Sequence, residues 1–231
     1  MSESRSKRLL EILPGAAVWS TFLLGIVLSF TTPLLVIAAI ILFDLYWLFR
    51  VFYFVIFIAV AWKDYRRARN TDWYAKLRGD FPTYTEMVHL IFLPMYKEEI
   101  RIVRQTIDAL LASKYPSDRF IVVLAGEERA LDHFKPIAQS IQEEYAHRFL
   151  QLLVTVHPKD LPDEIASKGA NIHFAGERAQ EMIDEMGIPY EHVIVSTFDI
   201  DTVAHPDYFA CLTHTYLSHP NPTRSSYQPV V

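Results

Sequence analysis

Two aspartates one residue apart, Asp199 and Asp201, follow a β-branched run in "VIVSTFDIDTVAHP" (193–206). Carboxylates this close repel one another unless a positive charge lies between them. On an extended chain, side chains two apart share a face. Both aspartates can then look outward from a strand end while Ile200 turns to the core. They offer oxygen ligands with no His or Cys pattern beside them, which suits Mg²⁺ or Mn²⁺. An ion held there could also bind a diphosphate. His205 stands near enough to join the ligand set. Alternatively, the aspartates cap a helix that begins at Pro206–Asp207.

Three other short stretches carry chemistry of a matching kind. In "LPMYKEE" (93–99), Tyr96 could stack on a base or pack a ribose, and Glu98 or Glu99 could accept from hydroxyls or a base N–H. Acids in a first helical turn also simply favour the helix dipole. In "LAGEERA" (124–130), Gly126 permits close approach and Glu127 or Glu128 could read a nucleobase edge; the alternative is a plain turn. "SKGANI" (167–172) places Lys168 and a glycine at a helix start, where phosphate binds well; the alternative is a surface lysine beside a cap.

The elements that must position these residues alternate. Short apolar runs at 87–96, 120–126, 150–158 and 192–198 read as strands. Between and after them, 98–113, 131–149, 168–187 and 206–219 read as helices, the first with Ile102, Ile107, Leu110 and Leu111 on helical spacing. The stretch 225–231 reads as the start of a further strand. Such alternation predicts a mostly parallel α/β sheet with helices on both faces. Ligands in these sheets bind beyond the carboxyl ends of the strands. Four places qualify: after Leu93, Leu124, Val156 and Phe198.

Ahead of this region the chain changes character. From Ala16 to Trp62 the only charges are Asp44 and Arg50. As one helix the stretch would run roughly 70 Å, against a bilayer core of about 30 Å, so two transmembrane helices are expected. The break expected at Thr31-Thr32-Pro33 leaves spans Pro14–Thr31 and Leu34–Trp62; a break at Asp44 is the alternative. Arg5, Lys7 and Arg8 precede the spans, and Lys63, Arg66, Arg67 and Arg69 follow them. Positive flanks mark the cytoplasmic side, so two crossings put everything beyond residue 63 in the cytoplasm. Under this break Arg50 lies near mid-membrane, either as a functional charge or as a snorkelling or Asp44-neutralised one. The expected organisation is a basic tail (1–13), two spans (14–62), an interfacial linker with Trp73 and Tyr74 at headgroup level (63–86), and an α/β domain (87–231).

Bulk composition narrows the classes. Of 231 residues, 51% are hydrophobic, which argues against disorder over most of the length. The formal charge of −5 argues against a general nucleic-acid binder. The single cysteine, Cys211, excludes an internal disulfide and a Cys-based zinc site.

Together the motifs resemble the membrane-bound family-two glycosyltransferases of GT-A fold, which include cellulose- and hyaluronan-synthase-like enzymes. "LPMYKEE" is similar to that family's P-x-Y-N-E element, "SKGANI" to its Lys-Ala/Gly-x-x-N segment, "FDIDT" to its D-x-D, and "SYQP" to the stretch that follows; the similarity covers 87–231. The resemblance implies a nucleotide-diphosphate sugar donor, a Mg²⁺ or Mn²⁺ ion, and inverting transfer to an acceptor hydroxyl. Pro94, Tyr96, Glu98, Glu127, Lys168 and Asp199 would bind the donor, and Asp199 and Asp201 the metal. A cytoplasmic donor site joined to membrane spans suits a lipid-linked or polysaccharide acceptor. Two features depart from the family. Glutamates 127 and 128 stand where it has an aspartate pair, and the general base and the Q-x-x-R-W motif are expected beyond Val231, as in a chain that carries the donor-binding half. Two rivals remain. "FDIDTV" also fits D-x-D-x-[TV], the loop of haloacid-dehalogenase-like phosphatases, with Asp199 as nucleophile and Asp201 as acid/base. A non-catalytic membrane-anchored binding protein is the other.

Overall fold

The computed structural model describes residues 2–162, 164, 165 and 167–227, which divide into two compact units, Met1–Asn70 and Thr71–Val231. The first unit is two helices, α1 (Ser2–Thr31) and α2 (Pro33–Arg69). The chain breaks at Thr32, as expected, and Asp44 lies inside α2. Pro33 opens α2, where its missing N–H is no loss. Both helices are long and apolar enough to span a membrane, with mean hydropathies of 1.9 over Leu10–Thr31 and 2.2 over Pro33–Arg69. No residue of α2 is buried. The expected basic tail is not a separate element, because α1 runs through Pro14 without a break. Arg50 is satisfied within its own helix: Nη1 donates to the Tyr46 hydroxyl at 3.0 Å, and the guanidinium lies over the Trp47 ring.

The second unit is an α/β fold. Its strands are β1 (Val88–Pro94), β2 (Phe120–Glu127), β3 (Gln151–His157) and β4 (Val193–Thr197). They form one sheet in the order β3-β2-β1-β4, and every pairing is parallel. β1 and β2 are buried at every position, which explains their unbroken apolar runs. The helices of this unit are α3 (Trp73–Asp80), α4 (Ile100–Leu111), α5 (Leu131–Tyr145), α6 (Lys168–Met186) and α7 (Tyr208–Ser218).

Helices cover both faces of the sheet. Val103 and Ile107 of α4, Phe134 and Ile141 of α5 and Phe209 of α7 pack on one side against Ile91, Leu93, Val122 and Leu124. Ala175, Ala179 and Ile183 of α6 pack on the other against Leu90, Phe92, Ile121 and Val123. The α4 face differs slightly from the expected one: Val103, Thr106, Ile107 and Leu110 are buried, and Leu111 is not. Gly187 ends α6 in the left-handed region (φ 65°), and the Ile188 N–H closes back on the Ile183 carbonyl.

Residues 63–86 do not form one linker. Lys63–Arg69 continue α2, and the next segment joins the α/β core, where Leu77 and Tyr84 are buried and Trp73, Tyr74 and Phe81 pack on the same cluster. Asp80 meets His214 of α7 at 3.0 Å, and the Trp73 and Phe81 rings flank that imidazole edge-on. Lys114 holds Asp207 at the start of α7 at 2.8 Å. Residues 225–227 are not a strand, and 228–231 lie outside the described residues.

Candidate functional site

In this sheet β1, β2 and β3 step away in one direction and β4 lies on the other side of β1. The order therefore reverses between β1 and β4. Neighbouring loops diverge at such a switch point and leave a crevice beyond the strands' carboxyl ends. A cavity of about 390 Å³ lies there, lined by Pro94, Met95, Tyr96, Glu98, Ile102, Glu127, Lys168, Asn171, Asp199, Ile200 and Asp201. Its volume falls in the range of small-molecule sites. The seven residues that the family resemblance assigns to the donor or the metal, Pro94, Tyr96, Glu98, Glu127, Lys168, Asp199 and Asp201, all line it. Of the four strand ends considered, those of β1, β2 and β4 contribute. The end of β3 does not; there His157 sits 2.8 Å from the Glu164 carboxylate.

The aspartate pair is set by a turn and not by an extended chain. β4 stops at Thr197, and the Thr202 N–H bonds the Asp199 carbonyl at 2.9 Å. Ile200 is nonetheless buried, as expected, and its carbonyl accepts from the Thr106 hydroxyl of α4. This anchor leaves both aspartate side chains exposed on the cavity. Neither caps α7, whose start is Asp207. His205 is not on the cavity wall; its Nδ1 accepts from the Asp207 N–H.

Four acidic side chains line the cavity with one basic side chain, Lys168. The ammonium of Lys168 contacts Asp199 Oδ1 directly. Asp201 has no hydrogen-bond or ion-pair partner among the described residues. Glu127 is paired with Arg129, whose Nε donates to its carboxylate at 2.9 Å. That hydrogen bond raises the pKa of the guanidinium above its ordinary value. Arg129 also lies over the Tyr96 ring, 5.6 Å from its centroid, and Lys97 stands 5.0 Å from the same ring. Glu98 folds back, accepting from the Tyr96 N–H at 2.7 Å. Glu99 and Glu128 do not line the cavity; Glu128 accepts from the Lys159 N–H.

Two residues had no assigned role in the sequence. Arg129 is one; a strand-terminal Glu-x-Arg is the available signal, since side chains two apart on extended chain can pair. Asn171 is the other. It is 1% exposed in the first turn of α6, and its Nδ2 donates to the Ala125 carbonyl at 2.9 Å. The Met95 N–H shares that carbonyl at 2.8 Å, so one β2 acceptor ties together the end of β1 and the start of α6. Asn171 Oδ1 is buried without a hydrogen-bond partner among the described residues. Gly126 serves packing: a Cβ there would come within 2.5 Å of the Phe134 ring.

Carboxylate oxygens are the ligand type that Mg²⁺ or Mn²⁺ accepts, and Asp199 and Asp201 are the residues that could hold such an ion. Among the described residues no group of three or more His, Cys, Asp and Glu gathers as a ligand cage. Mg²⁺ commonly takes one or two carboxylates and completes its shell with water and phosphate oxygens. Asp199 and Asp201 supply that number on one wall. Fold and cavity together define a doubly wound parallel α/β unit with an acidic cavity at its switch point. No protein-family model matches the chain, and no curated protein does.

Proposed function

We propose that the chain is a membrane-anchored glycosyltransferase of the family-two type, which holds a nucleotide-diphosphate sugar in the switch-point cavity for inverting transfer to an acceptor hydroxyl. One observation carries this reading: Pro94, Tyr96, Glu98, Glu127, Lys168, Asp199 and Asp201, drawn from three strand ends and a helix start, line a single cavity. Tyr96 offers a ring for the base, backed by the Arg129 guanidinium. Glu127 and Glu98 offer acceptors for base N–H groups and ribose hydroxyls. Lys168, at the start of α6, faces the diphosphate. Asp199 and Asp201 hold Mg²⁺ or Mn²⁺, which supplies charge neutralisation for the departing diphosphate. The acidic excess explains why a cation is needed, since a bare diphosphate would be repelled by this wall. The apolar helices and their positive flanks support a multi-pass membrane protein with this unit in the cytoplasm and a lipid-linked or polysaccharide acceptor.

The test is calorimetric titration of the full chain in detergent with a panel of UDP- and GDP-sugars, with and without Mn²⁺. The expected result is Mn²⁺-dependent binding that Asp201→Ala weakens by about 100-fold or more, the scale of losing one charged contact to a buried ion. Absence of binding to every donor tested with Mn²⁺ would refute the reading. Hydrolysis of a generic phosphate ester, abolished by Asp199→Asn, would replace it with the phosphatase alternative.

A further inference from the structure

We propose that Lys168 and Asp199 form an exchangeable ion pair: Asp199 gives up the Lys168 ammonium when a divalent cation takes its place, and the freed ammonium passes to the diphosphate. This deepens the donor-site reading above and rests on it. Cation and diphosphate are then coupled through one side chain, each promoting the other's binding.

Three observations carry the inference. The first is the contact itself, between groups that remain accessible: the Lys168 and Asp199 side chains are 50% and 70% exposed. A pair this solvated is held weakly, and the lysine stem has the freedom to swing. The second is the charge balance on the wall, where Glu127 is neutralised by Arg129 and Lys168 is the one basic lining residue beside Glu98, Asp199 and Asp201, while Asp201 lacks a partner among the described residues. With the ammonium on Asp199, the site offers a cation one free carboxylate and a repelling neighbour. With the ammonium removed, it offers two carboxylates. The third is independent of the charges. Asn171 Oδ1, one turn along the same face of α6 from Lys168, is a buried acceptor without a partner on this cavity wall. Buried acceptors are seldom left unpaired; this oxygen is covered while Lys168 rests on Asp199, and a movement of the lysine that uncovers it would give a ligand donor or a bridging water its place. Its Nδ2 bond to Ala125 keeps the helix start in place while the lysine moves.

The exchange predicts effects of opposite sign from a single substitution, which a merely structural lysine would not produce. Lys168→Met in the full chain should tighten Mn²⁺ alone by about 5-fold or more, and weaken UDP at saturating Mn²⁺ by about 10-fold, within the usual range of coupling between sites. Asp199→Asn should weaken Mn²⁺ and strengthen UDP in the absence of metal. Lys168→Arg, which keeps the charge, should retain the wild-type pattern. Circular dichroism confirms folding of each variant, and calorimetry with Mn²⁺ alone, UDP alone and both reads the outcome. If Lys168→Met leaves Mn²⁺ affinity unchanged or lowers it while wild type binds UDP with Mn²⁺, the exchange is wrong and the donor site stands. If wild type binds neither UDP nor nucleotide sugar with Mn²⁺, both are wrong.

Discussion

Strand β1 joins two polar clusters of opposite character. At its amino end His89 is wholly buried, ringed by Tyr115, Phe120 and Phe209 at centroid distances of 4.8, 5.7 and 4.9 Å. Its Nε2 pairs with the Thr213 hydroxyl at 2.8 Å, and Nδ1 has no partner among the described residues. At the carboxyl end, Met95 and Tyr96 enter a cavity whose charged groups are paired in part and open to solvent. Burial of a charge without a partner is expensive, so the sealed end must stay neutral. The open end keeps its charges because water reaches them. The contrast separates two tasks: the first end contributes to stability in a pH-dependent way, and the second is the site proposed above for binding.

The sharpest way to break this contrast is acid. Burial pushes the His89 imidazole down to about 3 from its ordinary 6.5. Below pH 6.5 the unfolded chain takes up a proton that the folded chain refuses, so stability is full above 6.5 and falls as pH drops toward 3. By pH 4 this one group should cost roughly 3 kcal/mol, at about 1.4 kcal/mol per pH unit. Denaturant unfolding of wild type and His89→Leu at pH 7.5 and pH 4 measures it. The variant should lose less on acidification by about that amount. An equal loss in both proteins would show that the sealed end does not govern acid sensitivity.

Gly126 sits beside Glu127 at the open end and yet belongs to the sealed interior, which makes it a test of where the boundary runs. A methyl group there would meet Phe134 at 2.5 Å. Gly126→Ala should therefore cost about 1–3 kcal/mol by overpacking, and Phe134→Leu in the same chain should recover part of it. Were the glycine present for close approach of a ligand, alanine would lower UDP affinity with stability intact. Thermal unfolding and UDP titration of the single and double variants separate the two.

The same boundary marks what could be read in advance. β1 and β2, buried at every position, announce themselves as unbroken apolar runs; β3 and β4 are only partly buried, and all four fall within one or two residues of the expected stretches. Pro94, Tyr96, Glu98, Glu127, Lys168, Asp199 and Asp201 were also legible, because they sit at strand ends and a helix start, before any strand order is known. What local pattern does not show is pairing across distance. Leu77 and Tyr84 looked like part of a polar, aromatic linker; α3 packs on α7 and the Tyr84 ring meets Tyr115, both remote in sequence. The contact of Lys168 with Asp199 depends on α6 starting where β4 ends. Asn171 was visible within "SKGANI", but its role needs the Ala125 carbonyl, 46 residues away.

Asn171 therefore gives the finest test of the contrast, since it belongs to both regimes. Its amide nitrogen makes a buried bond to the sheet, a stability contact. Its amide oxygen is buried without a partner among the described residues and is, in the exchange proposed above, the atom a ligand would reach. Asn171→Ala removes the first and should cost about 1 kcal/mol, the net worth of one hydrogen bond, because the Ala125 carbonyl keeps the Met95 N–H as a partner. The same variant should weaken UDP at saturating Mn²⁺ by about 5-fold, through loss of the oxygen and a looser seat for Lys168. Asn171→Asp keeps the oxygen and loses the donor, so it should lower stability further, by setting a carboxylate against a carbonyl. Unfolding free energies and UDP affinities for the two variants give a two-by-two comparison. If Asn171→Ala lowers stability and leaves UDP affinity at the wild-type value, the amide belongs to the packed interior alone, and the binding surface ends at Lys168.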